Sequence, residues 1–108
     1  LALLEISREN NIPIETIVKK TSHAVADRYG IIDRGYIREG YWADLVLVDP
    51  NGSQKVTSDN ILYECGWSPF EGHCFDGLIE MTFVNGLKVF EDGKILSEPS
   101  GKKLDFRS

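Results

Sequence analysis

The spacing of apolar residues along the chain changes at residues 34–49, whose sequence is RGYIREGYWADLVLVD. Gly35 and Gly40 bracket a short segment that is typical of a turn or a tight strand pair. The apolar run Leu45–Val48 that follows predicts a buried strand, which Pro50 ends. Segments before this stretch have helical spacing, and segments after it alternate as strands do. This order of helices first and strands second predicts an α+β fold.

Three helices are predicted before the glycine pair. The first covers residues 1 to about 10, and the second covers residues 12–20. Ser22 is expected to cap a third helix over residues 23–29, and Gly30 is expected to end it in the left-handed conformation. No capping residue precedes the apolar first segment, so we expect a chain cut from a longer protein, with its start inside a helix.

The second half of the chain predicts strands joined by tight turns. Apolar and polar residues alternate over 78–84, and Asn85-Gly86 follows as the preferred pair for a two-residue type I′ hairpin. Asp92-Gly93 marks a second turn. Residues 64–77 are expected to form an extended loop, and residues 97–108 are expected to form a mobile tail.

Composition limits the function classes. The chain has 108 residues, of which 42% are hydrophobic and 27% charged, and this suits one small domain. Its net charge of -5 comes without a basic block, which argues against nucleic acid and anionic membranes as partners. Its longest apolar run has four residues, far short of the roughly 20 that a membrane-spanning helix needs. Two cysteines are too few for a disulfide scaffold, which favours reduced thiols and a cytoplasmic location.

The sequence contains no complete catalytic or metal-binding pattern. Cys65, His73 and Cys74 come nearest to a metal site, but their C-x7-H-C spacing lacks the paired ligands of structural zinc sites, so loop packing is the favoured interpretation. His23 is the first residue of a predicted helix, where an imidazole more often bonds backbone or water. Ser68 lies in no G-x-S-x-G elbow, and no third group accompanies it.

One loop concentrates large aromatic residues. Residues 65–72 read CGWSPFEG and are called the docking loop below. Two glycines and Pro69 set a defined turn, from which Trp67 and Phe70 are expected to pack against a neighbouring domain. Glu71, the carboxylate inside the loop, is expected to cap the turn or to form a salt bridge with that neighbour. The less favoured alternative is a ligand-binding surface.

The chain resembles the C-terminal region of amidohydrolase-superfamily enzymes. Residues 35–49 match the stretch G-x-I-x-x-G-x-x-A-D-L-V-x-x-D that follows the catalytic barrel in that superfamily, and 83–86 and 91–93 resemble the closing hairpins of the same module. The docking loop is similar to the corresponding loop of cyclic amidohydrolases, dihydroorotases in particular. The resemblance runs from about residue 12 to about residue 93. Val25 departs from it, since many relatives have proline near this helix start.

The resemblance implies a parent enzyme with a (β/α)8 barrel that holds one or two zinc ions at the C-terminal ends of its strands. The metal activates a water that attacks a ring amide. Residues 1–30 would be helices from the end of the barrel, and residues 31–96 would be the C-terminal part of a composite β-sandwich beside it. The family's metal ligands lie before the region present here and match no position of this chain. We therefore expect no catalytic residue and no bound zinc in this segment.

The function implied is that of a dihydroorotase, which interconverts dihydroorotate and N-carbamoyl-aspartate in pyrimidine biosynthesis, with this segment serving a structural role. One alternative is a related hydantoinase or allantoinase. A second is a metal-less scaffold relative that binds a partner enzyme. The expected partners are the barrel and the N-terminal sandwich strands of the same chain. Several apolar side chains lack obvious partners within so short a chain, so the isolated segment is expected to self-associate.

Overall fold

A computed structural model describes residues 1–96 and 98–108, with the helices first and one antiparallel sheet after them. Helix α1 covers Ala2–Glu9. Helix α2 covers Ile14–Val18, continues through a π-helical turn over Lys19–His23, and runs into α3, Ala24–Tyr29. The predicted α+β class is confirmed.

The second and third predicted helices form one continuous rod, so the predicted cap at Ser22 is wrong. Ser22 lies inside the π-helical turn, and His23 after it keeps helical backbone angles of φ -62° and ψ -54°. A capping residue has to leave helical geometry, and here the backbone never does so. The predicted end of α3 is confirmed, because Gly30 adopts the left-handed conformation at φ 64° and ψ 35°.

The described residues form a sheet of four strands: β1, Leu45–Lys55; β2, Cys74–Val84; β3, Leu87–Glu91; and β4, Lys94–Ile95. Their order in the sheet is β1-β2-β3-β4, and each strand is antiparallel to its neighbours. A short 3₁₀ turn, Ser58–Asn60, lies between β1 and β2. The loop expected over residues 64–77 is therefore shorter, because β2 begins at Cys74, which pairs with Lys55.

Strand β1 differs from the expected short, buried strand. It passes through Pro50 and continues to Lys55, and Val46 and Leu47 in its first half are 56% and 42% exposed. The register of the β1–β2 pairing shifts between Asp49 and Ser53. Proline is tolerated at such an irregularity and on an edge strand, because its missing N–H interrupts no ladder hydrogen bond there. The expectation that Pro50 ends the strand was wrong for this reason.

Both predicted turns are confirmed. Asn85 and Gly86 have φ values of 52° and 82° and connect β2 to β3, with Val84 paired to Leu87. Asp92 and Gly93 have φ values of 49° and 81° and connect β3 to β4. Positive φ at both central positions is the geometry that type I′ hairpins require.

The tail returns to the body of the chain. Ile32 N–H donates to the Asp105 carbonyl at 2.9 Å, and Arg107 N–H donates to the Gly30 carbonyl at 2.8 Å. The Asn85 side-chain amide donates to the Ser100 carbonyl at 2.5 Å. Mobility of residues 97–108 stays a prediction, and such motion would have to break these contacts; Ser97 lies outside the described residues.

The chain buries very little apolar surface. Ala26 and Phe75 are the buried apolar residues of the described chain, and both are 5% exposed. Twenty large hydrophobic residues are exposed, among them Ile37 at 88% and Leu62 at 68%. The expected surplus of exposed apolar surface is confirmed, while self-association stays a prediction. Within residues 1–96 and 98–108, no helix has the length and apolar character to cross a membrane.

Close approach of the backbone explains the first glycine of the 34–49 stretch. Gly35 has φ 85° and lies against the helical rod, where an added Cβ would come 2.5 Å from the Ala26 Cβ and 3.0 Å from the Ser22 carbonyl oxygen. Gly40 has a similar φ of 83°, but no atom lies within 4 Å of the point where an added Cβ would stand. Both positions therefore require a residue that tolerates positive φ, whereas Gly35 is in addition too closely packed to admit a side chain.

We expect Gly35→Ala to destabilise the protein more than Gly40→Ala. Both changes place a side chain in left-handed geometry, at about 1–2 kcal/mol each. Gly35→Ala adds overpacking against Ala26, at about 1–3 kcal/mol more. Thermal unfolding of the two purified variants measures the difference, and equal melting temperatures would contradict the close packing of Gly35.

Candidate functional site

The docking loop is folded around a buried serine. Ser68 is 9% exposed, and its hydroxyl accepts a hydrogen bond from Phe70 N–H at 3.2 Å. Its carbonyl accepts another from Glu71 N–H at 3.1 Å. These bonds curl residues 68–71 into a turn, as the proline and the flanking glycines predict. Ser68 therefore has a structural role here, and its hydroxyl is already engaged with the backbone.

Backbone hydrogen bonds and an aromatic cluster fix the loop to the sheet. Gly72 N–H donates to the Val56 carbonyl at 2.8 Å, and Val56 N–H donates to the His73 carbonyl at 2.9 Å. The Phe70 ring packs edge-on against Phe75 with centroids 5.5 Å apart, and the His73 ring packs against the same Phe75 at 4.5 Å. Phe75 is thus the buried anchor beneath the loop.

The predicted docking residues of this turn are all exposed. Trp67 is 59% exposed and Phe70 is 45% exposed, and Pro69 and Glu71 are exposed beside them. In the part of the chain that the structure describes, the Glu71 carboxylate takes part in no salt bridge. The arrangement presents an apolar surface with one carboxylate at its edge, which suits binding rather than catalysis.

Sequence reasoning missed the contact that ties this loop to the first helix. His73 Nε2 lies 2.8 Å from Glu5 Oε2, between residues 68 positions apart. Arg8 on the same helix donates hydrogen bonds to the carbonyls of Pro50 and Asp76. These two charged residues of α1 therefore dock the helix against the start of β2 and the bulge of β1. No local spacing signals a pairing over this distance.

The residues weighed as metal ligands take up other roles. Cys65 and Cys74 are exposed free thiols, and Cys65 Sγ lies 3.6 Å from the Trp67 carbonyl oxygen. His73 is engaged with Glu5, and the His23 ring stacks on Tyr36 at 4.2 Å with an interplanar angle of 6°. Residues 1–96 and 98–108 contain no group of three His, Cys, Asp or Glu side chains placed to hold a metal ion.

Asp44 joins the loop that holds Gly35 and Gly40 to the sheet. One of its carboxylate oxygens forms an ion pair with Arg34, and the other accepts a hydrogen bond from Asn85 N–H at 2.8 Å. A single carboxylate therefore holds the start of β1 against both the preceding loop and the β2–β3 hairpin. Trp42 lies beside this ion pair, with the Arg34 guanidinium 5.4 Å and the Lys102 ammonium 4.1 Å from its ring centroid.

A second aromatic group lies near the end of α3. The Tyr36 hydroxyl donates to Asp27 Oδ2 at 2.6 Å, and this hydrogen bond is the main reason why the pKa of Tyr36 lies above its usual value. The Arg38 guanidinium lies 4.0 Å from the Tyr36 ring centroid and 5.7 Å from that of Tyr41. The Arg38 guanidinium thus lies close to the Tyr36 ring, whose hydroxyl donates a hydrogen bond to Asp27.

Comparison with known proteins shows which enzymes this chain is similar to. An allantoinase of Rubrobacter xylanophilus is 37% identical over 91 residues, which are 84% of this chain and 20% of that protein. A dihydroorotase of Halobacterium salinarum is 35% identical over 103 residues, 94% of this chain and 24% of that protein. A dihydroorotase of Pyrococcus furiosus is 29% identical over 102 residues, again 94% and 24%. No protein-family model matches the chain.

Enzymes with these names are cyclic amidohydrolases, and the predicted resemblance of the chain to this class is confirmed. Two particular enzymes occur among them, allantoinase and dihydroorotase, and the chain is similar to both. The chain spans about a fifth to a quarter of the length of these curated relatives.

We expect Phe75→Ala to destabilise the docking loop and the protein. Removing a buried aromatic ring costs about 3–5 kcal/mol, and here it also removes the support of Phe70 and His73. Phe106→Ala is the matched control, because that ring is 55% exposed. Thermal unfolding should show a much larger loss for Phe75→Ala, and a loss no greater than that of the control would contradict the anchor role.

Proposed function

We propose that this chain is the C-terminal structural segment of a metal-dependent cyclic amidohydrolase and carries none of its catalytic groups. The observation that supports this most is the similarity to named allantoinases and dihydroorotases over 84–94% of the chain. Residues 1–30 would supply helices from the end of a (β/α)8 barrel. Residues 31–96 would supply the C-terminal part of a composite β-sandwich beside it.

Within this class we propose the dihydroorotase reaction, in which dihydroorotate is reversibly hydrolysed to N-carbamoyl-aspartate. The docking loop sequence, residues 65–72, supports this choice because it is similar to the loop of dihydroorotases. Allantoinase is the second candidate, since relatives with that name share 31–37% identity with the chain. Zinc would be held by residues outside this chain, because the described residues offer no ligand group for it.

We expect the full-length protein to hydrolyse dihydroorotate. A chelator should abolish the activity and added zinc should restore it, since the metal supplies the activated water. Parallel assays with dihydroorotate, allantoin and hydantoin separate the candidates. Activity on allantoin or hydantoin alone would replace the dihydroorotase proposal with its relative, and a protein inactive on all three would favour the metal-less scaffold relative.

The partner proposed for the exposed apolar surfaces is the remainder of the same protein. The relatives are about four times as long as the chain, so most of their fold lies outside it. Two apolar surfaces are exposed in this segment: the docking loop with Trp67 and Phe70, and an open cleft of about 1080 Å³ on the sheet. Apolar side chains of β2 and β3 line that cleft, including Ile79, Val84 and Phe90. We propose that the barrel covers the loop and that N-terminal sandwich strands cover the sheet.

The same surfaces account for the other proposed properties of the segment. In isolation it would self-associate, because exposed apolar patches and unpaired strand edges favour aggregation. Its net charge of -5 supports no role in nucleic-acid binding. Location in the cytoplasm is also part of the proposal, and the free thiols of Cys65 and Cys74 suit a reducing compartment.

We expect Trp67→Ala to lower the stability of the full-length protein by about 3–5 kcal/mol while leaving substrate handling nearly unchanged, because the ring would be buried against the barrel. Ile37→Ala is the control, since Ile37 is 88% exposed and lies outside both proposed surfaces. Melting and steady-state kinetics are measured on the same preparations. Unchanged stability with a tenfold loss of kcat/KM would instead place the loop at the active-site mouth.

A further inference from the structure

A small polar cleft opens where the end of α3 meets the returning tail. Its volume is about 60 Å³. Three arginines line it: Arg34 and Arg38 from the connection between α3 and β1, and Arg107 from the tail. Tyr36, Tyr41 and Asp27 complete the polar lining. None of these residues belongs to the docking loop or to the cleft on the sheet.

The charges in this cleft are only partly neutralised. Arg34 forms an ion pair with Asp44, and one oxygen of Asp27 accepts the Tyr36 hydrogen bond. Arg38 and Arg107 form no salt bridge with any residue that the structure describes. Three arginines and one carboxylate, Asp27, therefore line the cleft, which leaves it cationic in a chain with 17 acidic and 12 basic residues. In an acid-rich chain, two arginines that line the same cleft and form no salt bridge with a described residue point to an external anion.

Backbone contacts hold the arginines near one another before any ligand arrives. Arg107 N–H donates to the Gly30 carbonyl at 2.8 Å, and the left-handed turn at Gly30 lets the tail approach so closely that an added Cβ would lie 3.4 Å from the Arg107 Cβ. The Arg38 guanidinium is oriented by the rings of Tyr36 and Tyr41. Such preorganisation lowers the entropic cost of binding.

We propose that this cleft binds a phosphate group. Guanidinium forks match the oxygens of a tetrahedral oxyanion and form short, charge-assisted hydrogen bonds with them. The small volume accommodates a single such group and leaves a larger ligand's remaining atoms in solvent. A phosphate held by Arg38 and Arg107 would also fasten the tail to the helix end. Asp27 is the opposing charge in the cleft, and one of its oxygens is occupied by the hydrogen bond from Tyr36.

Calorimetric titration of the full-length protein with inorganic phosphate, at constant ionic strength set by sodium chloride, tests the proposal. The double variant Arg38→Gln/Arg107→Gln should bind phosphate at least tenfold more weakly. The Arg28→Gln variant should bind phosphate as the unchanged protein does. Arg28 lies on α3, whose end borders the cleft, but it does not line the cleft. Phosphate bound elsewhere in the protein would not respond to these two substitutions.

Two results would overturn the proposal: no saturable binding to the unchanged protein, or equal affinity in the double variant and the Arg28→Gln control. If the double variant does not fold, the single variant Arg107→Gln is tested instead. The Arg107 side chain is exposed, so this change should leave folding intact. It should still weaken phosphate binding severalfold. A second titration with glycerol 3-phosphate distinguishes the sources. Binding of the ester assigns the cleft to the phosphoryl group of a larger molecule, and binding of inorganic phosphate alone assigns it to the free ion.

Discussion

The structure depends on one constraint: the chain cannot bury its own apolar side chains. Folding of a domain of this size ordinarily removes roughly 60–70% of the unfolded chain's surface from water. Here Ala26 and Phe75 are the buried apolar residues of the described chain, while twenty large hydrophobic residues are exposed. The helices, the docking loop and the sheet all present apolar surface outward. The proposed role of the segment, as one part of a larger enzyme, follows from this shortage together with the length of its relatives.

Local geometry and polar contacts hold the elements in place instead of a large core. Asp44 connects the Arg34 loop to the β2–β3 hairpin, and the contact of Glu5 with His73 connects α1 to the residue between the docking loop and β2. The contacts of Gly35 with the helical rod restrict that junction further. Exposed ion pairs contribute little stability individually, so these contacts orient the elements more than they stabilise them. Burial against other parts of the protein would supply the larger free-energy gain.

Features set by nearby residues could be predicted from the sequence, whereas features set by distant pairing could not. Asn85-Gly86 and Asp92-Gly93 predicted their hairpins because positive φ at two adjacent positions is a local requirement. The continuation of β1 beyond Pro50 depends instead on pairing with β2, about 20 residues later, which outweighs the local signal of proline. The continuous helical rod was missed because Ser22 has the side chain of a cap but helical neighbours on both sides.

The same distinction applies to the candidate sites. The aromatic composition of residues 65–72 and their turn residues were visible in the sequence, and the structure confirms that Trp67 and Phe70 are exposed. The pairing of Glu5 with His73 was not visible, because it joins residues 68 positions apart, and no local signal distinguished Ser68 as the buried residue of its loop. The arginine cleft was missed for a similar reason, since Arg107 comes from the tail and lies about 70 positions after Arg34 and Arg38.

The central claim is that other parts of the protein cover the docking loop. Hydroxyl-radical footprinting of the full-length protein, read by mass spectrometry at Trp67, measures this cover directly. Comparison with the urea-unfolded protein corrects for the intrinsic reactivity of the indole. Burial predicts that Trp67 in the folded protein is labelled at less than about a tenth of its unfolded rate. Labelling at about half the unfolded rate, as its 59% exposure in the segment alone implies, would contradict the claim.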